Sequence, residues 1–180
     1  PYTLSLHDAL PISAISTALL TFGNNGKHIV ANKSIYGETI ELLNNMLTRF
    51  GIETTYVDFN DIEAVKNAIR PNTTIIYTEI ISNPLITVVD IAKIVDIAHK
   101  ANAMVMVDST FTTPFVIKPL DFGVDIVIHS LTKFYNGHSD VTGGSVTASK
   151  TLVNKMYSVS LMLGCCLDPN SSWLALRGIR

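Results

Sequence analysis

The sequence predicts an α/β protein with a mainly parallel sheet and helices on both faces. Two observations carry this. From Ala14 onward, short runs rich in β-branched residues alternate with amphipathic stretches at helical spacing, without repeats or low-complexity linkers. That alternation marks successive βαβ units. The chain has 180 residues, of which 47% are hydrophobic and 16% charged, enough to bury one sizeable core.

Taken in order, the first strand is expected at 28–31 and the first long helix at 37–50. Ile40, Leu43, Met46 and Leu47 lie on one face of that helix, and Gly51 is its stop signal. Strands are expected at 54–57 and 74–79, with a helix between them that opens at Asp61 and ends before Pro71. Asp90 is suited to cap a helix whose buried stripe is Ile91, Ile94, Val95 and Ala98. Strands at 104–108, 125–129 and 145–148 complete the set, and another helix follows Ser149.

The two ends read differently. Residues 1–12, PYTLSLHDALPI, show neither strand alternation nor a convincing amphipathic helix. The run from Ser5 to Ile12 resembles one reading frame of a sequencing-library adapter, so 1–12 are expected to be an artefact outside the fold. The chain stops at Arg180 in mid-pattern, without a helix stop signal, so both ends are expected to be cut.

Composition narrows the function classes. The net charge of -2 comes from 13 basic and 15 acidic residues with no long run of either sign, which gives no nucleic-acid footprint. Cys165 and Cys166 are adjacent, a spacing that fits neither a disulfide framework nor a CxxC metal site. Free thiols in a reducing cytosol are expected. The scattered histidines suggest no metal site. No apolar run approaches the roughly 20 residues of a membrane span, and no signal peptide is visible, so a cytoplasmic protein without a membrane partner is expected.

In a parallel α/β sheet, ligands bind beyond the carboxyl ends of the strands. Tyr36 follows the first expected strand, Asn83 follows the third, Asp108 closes the fourth, and Ser130, Thr132 and Lys133 follow the fifth. If those strands are parallel, all six residues share one rim. A lysine amine forms a Schiff base with an aldehyde cofactor, and enzymes using pyridoxal 5'-phosphate (PLP) add an acid that pairs with the pyridine nitrogen. Lys133 and Asp108 suit those roles. Ser130 and Thr132 are suited to donate to a phosphate, Tyr36 to stack on the ring, and Asn83 to hydrogen-bond the phenolate oxygen. His129 reads as a packed structural residue.

The segment from Asp125 to Asp140, DIVIHSLTKFYNGHSD, resembles the cofactor-lysine signature of the Cys/Met metabolism PLP-dependent enzymes. The similarity continues through Tyr36-Gly37, Ser82-Asn83-Pro84, Val107-Asp108-Ser109-Thr110 and the closing Leu174 to Arg180. Leu131 is bulkier than the small residue often found before the Thr-Lys pair, and Tyr135 replaces a usual aliphatic. The resemblance implies the large domain of a fold type I PLP-dependent transferase, with residues 13–180 its central part. It implies that Lys133 holds PLP and then acts as the base at the substrate Cα, and that Tyr36 stacks on PLP and assists proton transfer at the leaving group.

The implied activity is that of a transsulfuration enzyme, a carbon-sulfur γ-lyase acting on cystathionine or methionine. A γ-synthase or O-acetylhomoserine sulfhydrylase of the same family, an aminotransferase on the same fold, and a non-catalytic α/β domain remain as alternatives. Glu38 lies where family members vary. The implied partners are a small sulfur-containing amino acid and, at full length, a homo-oligomer, either dimer or tetramer. The family's Ser-Gly-Met phosphate turn, N-terminal arm and C-terminal domain are expected to lie outside the sequence. The segment alone is therefore expected to be inactive, with an unpaired sheet edge beside 145–148.

Overall fold

The computed structural model describes residues 2–6 and 12–179, with side chains from Ile12 onward. Its elements are β1 (Tyr2–Leu6), α1 (Ile12–Phe22), β2 (His28–Asn32), α2 (Gly37–Glu41), β3 (Glu53–Val57), α3 (Ile62–Ala68), β4 (Thr73–Glu79), α4 (Ile91–Lys100), β5 (Met104–Asp108), α5 (Thr113–Val116), β6 (Ile126–Ser130), β7 (Gly144–Ala148), α6 (Lys150–Leu163) and α7 (Pro169–Ile179). The strands form one seven-stranded sheet in the order β1-β7-β6-β5-β4-β2-β3. Strands β2 to β6 run parallel, whereas β7 is antiparallel to both of its neighbours.

Side-chain alternation along the central strands gives the sheet two cores. Ile29, Ala31, Ile75, Tyr77, Met106, Ile126 and Ile128 face one side, where Ile15 and Leu19 of α1 and Met156 of α6 cover them. Val30, Ile76, Val105, Val107 and Val127 face the other side, against Val65 of α3 and Ile94, Val95 and Ala98 of α4. The helix starts follow from local chemistry. Asp61, Asp90 and Ser149 each accept a backbone N–H three residues on, satisfying a donor that the first turn leaves open.

Three expectations are corrected. Residues 37–50 are not one regular helix: α2 passes into a π turn at Leu42–Met46 and a 3-10 turn at Leu47–Phe50. The wider π turn shifts the helical phase; Leu43 and Leu47 are buried and Met46 is 47% exposed. Gly51 does end the segment, at φ 71° in the left-handed region. At the N-terminus, Tyr2–Leu6 is a strand rather than an element without pattern, and α1 already includes Ile12. Residues 1 and 7–11, the rest of the stretch expected to be an artefact, lie outside the described residues. Finally, the edge beside β7 is paired, because β1 runs antiparallel along it from Tyr2↔Ala148 to Leu6↔Gly144.

The topology fixes where a site can form. The chain leaves β2 for β3 on one side and then crosses to β4 on the other, so the order reverses between β2 and β4. The carboxyl ends of β2, β4, β5 and β6 open onto a crevice at this reversal, where open α/β sheets bind ligands.

Candidate active site

The crevice contains a cavity of about 160 Å³ lined by Tyr36, Glu79, Ile81, Asn83, Asp108, Thr110, Phe111, Ser130, Thr132 and Lys133. All six residues singled out from the sequence therefore meet at one place. They come from four strand ends: Tyr36 beyond β2, Asn83 beyond β4, Asp108 closing β5, and Ser130, Thr132 and Lys133 at the end of β6.

Asp108 stands at the floor, 8% exposed. Burial raises the pKa of its carboxyl, and hydrogen bonds from the Thr110 amide, at 2.9 Å, and the Thr110 side chain act in the opposite direction. The Thr110 hydroxyl also accepts the Ser130 N–H at 2.8 Å, tying the end of β5 to the end of β6. Ser130 is 2% exposed, and its Oγ is buried without a hydrogen-bond partner among the described residues.

Lys133 sits in a π turn at Leu131–Tyr135, where the backbone departs from helix at Lys133 itself. The turn is pinned to the start of β7. Leu131 N–H donates to the Gly143 carbonyl at 2.8 Å, and Gly143 N–H donates to the Thr132 hydroxyl at 3.1 Å. The Lys133 side chain is exposed at the mouth and joins no ion pair among the described residues. Beside it, Phe134 meets Phe111 edge to face, with ring centroids 6.1 Å apart. His129 is packed, as its sequence reading had it: burial lowers its pKa to about 4, and its ring lies 5.0 Å from that of Tyr135.

Tyr36 precedes α2 and is half-buried. Burial raises the pKa of its phenol, and a hydrogen bond with Glu38 adds to the rise. The backbone N–H of Tyr36 donates to Glu79 Oε1 at 2.6 Å. Glu79 is 6% exposed and stands opposite Asp108 in the parallel register of β4 and β5. Burial and the neighbouring Asp108 push its carboxyl up to about 7.

Glu79, Thr110, Ile81 and Phe111 were not singled out from the sequence. The signal for Glu79 was available: it is the last residue of β4, an acid ending the apolar strand TTIIYTE. Thr110 lies in the family-like stretch Val107-Asp108-Ser109-Thr110, but as the second residue after an acid it reads there as a common turn pattern without a role of its own.

The arrangement suits PLP. A buried hydroxyl without a partner, next to an exposed amine, leaves a donor free for an anionic group, and a buried carboxylate at the floor is suited to a cationic ring nitrogen. Among the described residues no His/Cys/Asp/Glu cluster is placed to hold a metal, and no helix is long and apolar enough to cross a membrane.

The family described as Cys/Met metabolism PLP-dependent enzyme matches residues 9–180. Cystathionine gamma-lyase of Bacillus subtilis is 46% identical over 168 residues, which is 93% of this chain and 44% of that protein. L-methionine gamma-lyase of Fusobacterium nucleatum subsp. nucleatum is 44% identical over 172 residues, covering 94% of the chain and 44% of that protein. Among solved structures, the crystal structure of cystathionine gamma-lyase from Lactobacillus plantarum complexed with L-serine superposes with a TM-score of 0.93 at 39% identity, over 98% of this chain and 46% of that one. The chain thus spans less than half the length of these relatives.

Proposed function

Since this chain belongs to the Cys/Met metabolism PLP-dependent enzyme family, we propose that the full-length protein carrying it is a transsulfuration enzyme, a carbon-sulfur γ-lyase that acts on cystathionine or methionine. The observation that carries the reading is the convergence of Lys133, Asp108, Tyr36, Asn83, Ser130 and Thr132 on one cavity. Residues 13–180 are then the central part of the cofactor-binding domain.

Bound PLP supplies an electron sink for the pair released when a bond at the substrate Cα breaks. The chain's residues have distinct tasks around it. With PLP bound, Lys133 Nζ would be its point of covalent attachment and would serve as the base for the substrate Cα proton. Asp108 keeps the ring nitrogen cationic, and that pairing offsets the desolvation of its own carboxylate. The Ser130 and Thr132 hydroxyls hold the phosphate, with Thr132 itself oriented by the Gly143 amide. Tyr36 stacks on the ring and carries a proton to the leaving group, while Asn83 donates to the phenolate oxygen.

The names of the relatives support a lyase. We propose a cytoplasmic homo-oligomer, a dimer or tetramer, and the apolar side chains left exposed in the single chain support assembly. The test is borohydride reduction of the PLP-loaded full-length protein, followed by peptide mapping and assay of α-ketoacid release from cystathionine and methionine. Lys133 should carry the label, and Lys133→Ala should abolish it and lower turnover by roughly three orders of magnitude or more. A label on another lysine would sink the assignment. Turnover of O-acetylhomoserine alone would move the protein to the sulfhydrylases.

A further inference from the structure

Glu79 stands inside the cavity without a task in the reading above. Its carboxylate is buried at the end of β4 and accepts the backbone N–H of Tyr36, 43 residues earlier in the chain, at 2.6 Å. The Asn83 backbone amide, in the loop that leaves β4, favours the charged form of the same carboxyl. One side chain at the end of β4 therefore holds the backbone of Tyr36, which approaches from the loop beyond β2. The loop that leaves β4 is braced by Ser82 and Thr87, which join through their hydroxyls and backbones, whereas Tyr36 makes no side-chain cap to α2.

The tie is placed at a cost. Register sets Glu79 beside Asp108, and paired residues of neighbouring parallel strands project to the same face. Two carboxyls thus share a poorly solvated floor, and each disfavours ionisation of the other. A single cation near Asp108 would relieve both. The charge-assisted contact with the Tyr36 amide offsets part of the penalty, and such contacts are stronger and geometrically tighter than neutral ones.

We propose that Glu79 is a positioning residue: by holding the backbone of Tyr36 it sets the aromatic plate at the cofactor ring. The proposal rests on the functional reading above, because it takes Tyr36 as a cofactor contact. Glu79 itself takes no proton from substrate.

Three substitutions in the full-length protein separate the tie from general stability. Glu79→Gln keeps an acceptor oxygen at the same reach and removes the charge. Glu79→Asp keeps the charge but withdraws the acceptor by about one bond length, ~1.5 Å. Glu79→Ala removes the acceptor. The first readout is amide hydrogen exchange in the peptide containing Tyr36, measured without cofactor. Exchange should speed up about tenfold or more in Glu79→Ala and Glu79→Asp, and stay within roughly threefold of the parent in Glu79→Gln. The second readout is the circular dichroism of bound PLP, which reports how asymmetrically the ring is held. It should fall sharply in Glu79→Ala and Glu79→Asp and stay near the parent's in Glu79→Gln. Glu79→Gln behaving like Glu79→Ala, or Glu79→Ala behaving like the parent, overturns the proposal. If Glu79→Ala does not fold, the contrast between Gln and Asp decides. If the parent fails to take up PLP, the functional reading falls, and the exchange data still judge the tie.

Discussion

Asp108 and Lys133 do different work at the same cavity, and substitution should part them. Asp108→Asn leaves the attachment point intact and removes the charge that keeps a ring nitrogen cationic. PLP absorbance should therefore persist while kcat/KM falls roughly 10²–10³-fold; loss of the absorbance instead would make Asp108 a binding rather than an electronic residue. Glu79 adds a pH signature. Its carboxyl is raised from 4.5 to about 7, so the folded protein holds a proton there that the unfolded chain has released. That contribution to stability is complete below pH 4.5 and is lost as pH rises through about 7. His129 acts in the opposite sense: lowered from 6.5 to about 4, it contributes stability above pH 6.5 that is lost as pH falls through about 4. The two slopes oppose each other in the parent. Glu79→Gln removes one, so its stability relative to the parent should rise between pH 4.5 and 7, by about 3 kcal/mol. Urea denaturation of the cofactor-free protein across that range measures it, and parallel curves would show that Glu79 does not titrate there.

At the scale of elements, the turn that carries Lys133 depends on α7 as well as on the sheet. Asn136 donates to Asp140, whose other oxygen accepts from Arg177 at 2.5 Å. One residue on, Gly178 lies so close to Asn136 that an added Cβ would collide with its backbone. Gly178→Ala should therefore push α7 away from the turn, with a loss of about 1–3 kcal/mol in chemical denaturation and weaker PLP uptake at fixed cofactor concentration. Unchanged stability would mean that the helix end yields freely. Elements of this kind were only partly legible in the sequence. Capped helices at Asp61, Asp90 and Ser149 and the six strands from 28 onward were readable, because capping chemistry and β-branched runs are local signals. The π turn at Leu42–Met46 was not, since nothing in LLNNM distinguishes a widened turn from a regular one. Strand β1 was also missed, because its pairing partner lies at the far end of the chain. The site followed the same rule: Lys133, Asp108 and Glu79 all stand at ends of readable strands, but the task of Glu79 comes from Tyr36 and Asp108, neighbours in space only.

For the molecule as a whole, the surface shows what the single chain leaves uncovered. Phe115 is 92% exposed, Met162 78% and Val116 74%, and Phe134 stands open beside Lys133. Large apolar side chains left exposed favour association. The 180-residue chain in isolation should self-associate in sedimentation velocity and release α-ketoacid from sulfur amino acids far more slowly than the full-length protein with saturating PLP. A monomeric chain with full turnover would refute the proposed assembly. The layout of the sheet also bears on how the molecule forms. The cavity draws its walls from the ends of β2, β4, β5 and β6, and parallel neighbours cannot pair until the chain between them has crossed over. Such non-local pairing is slow, because loop entropy is lost before any contact rewards it. The helices can therefore form early, but a pocket able to capture PLP exists only once all four strands are in register. Ligand capture is then a late clock of refolding, lagging the far-UV signal, and from that moment free PLP drains the unfolded population by mass action.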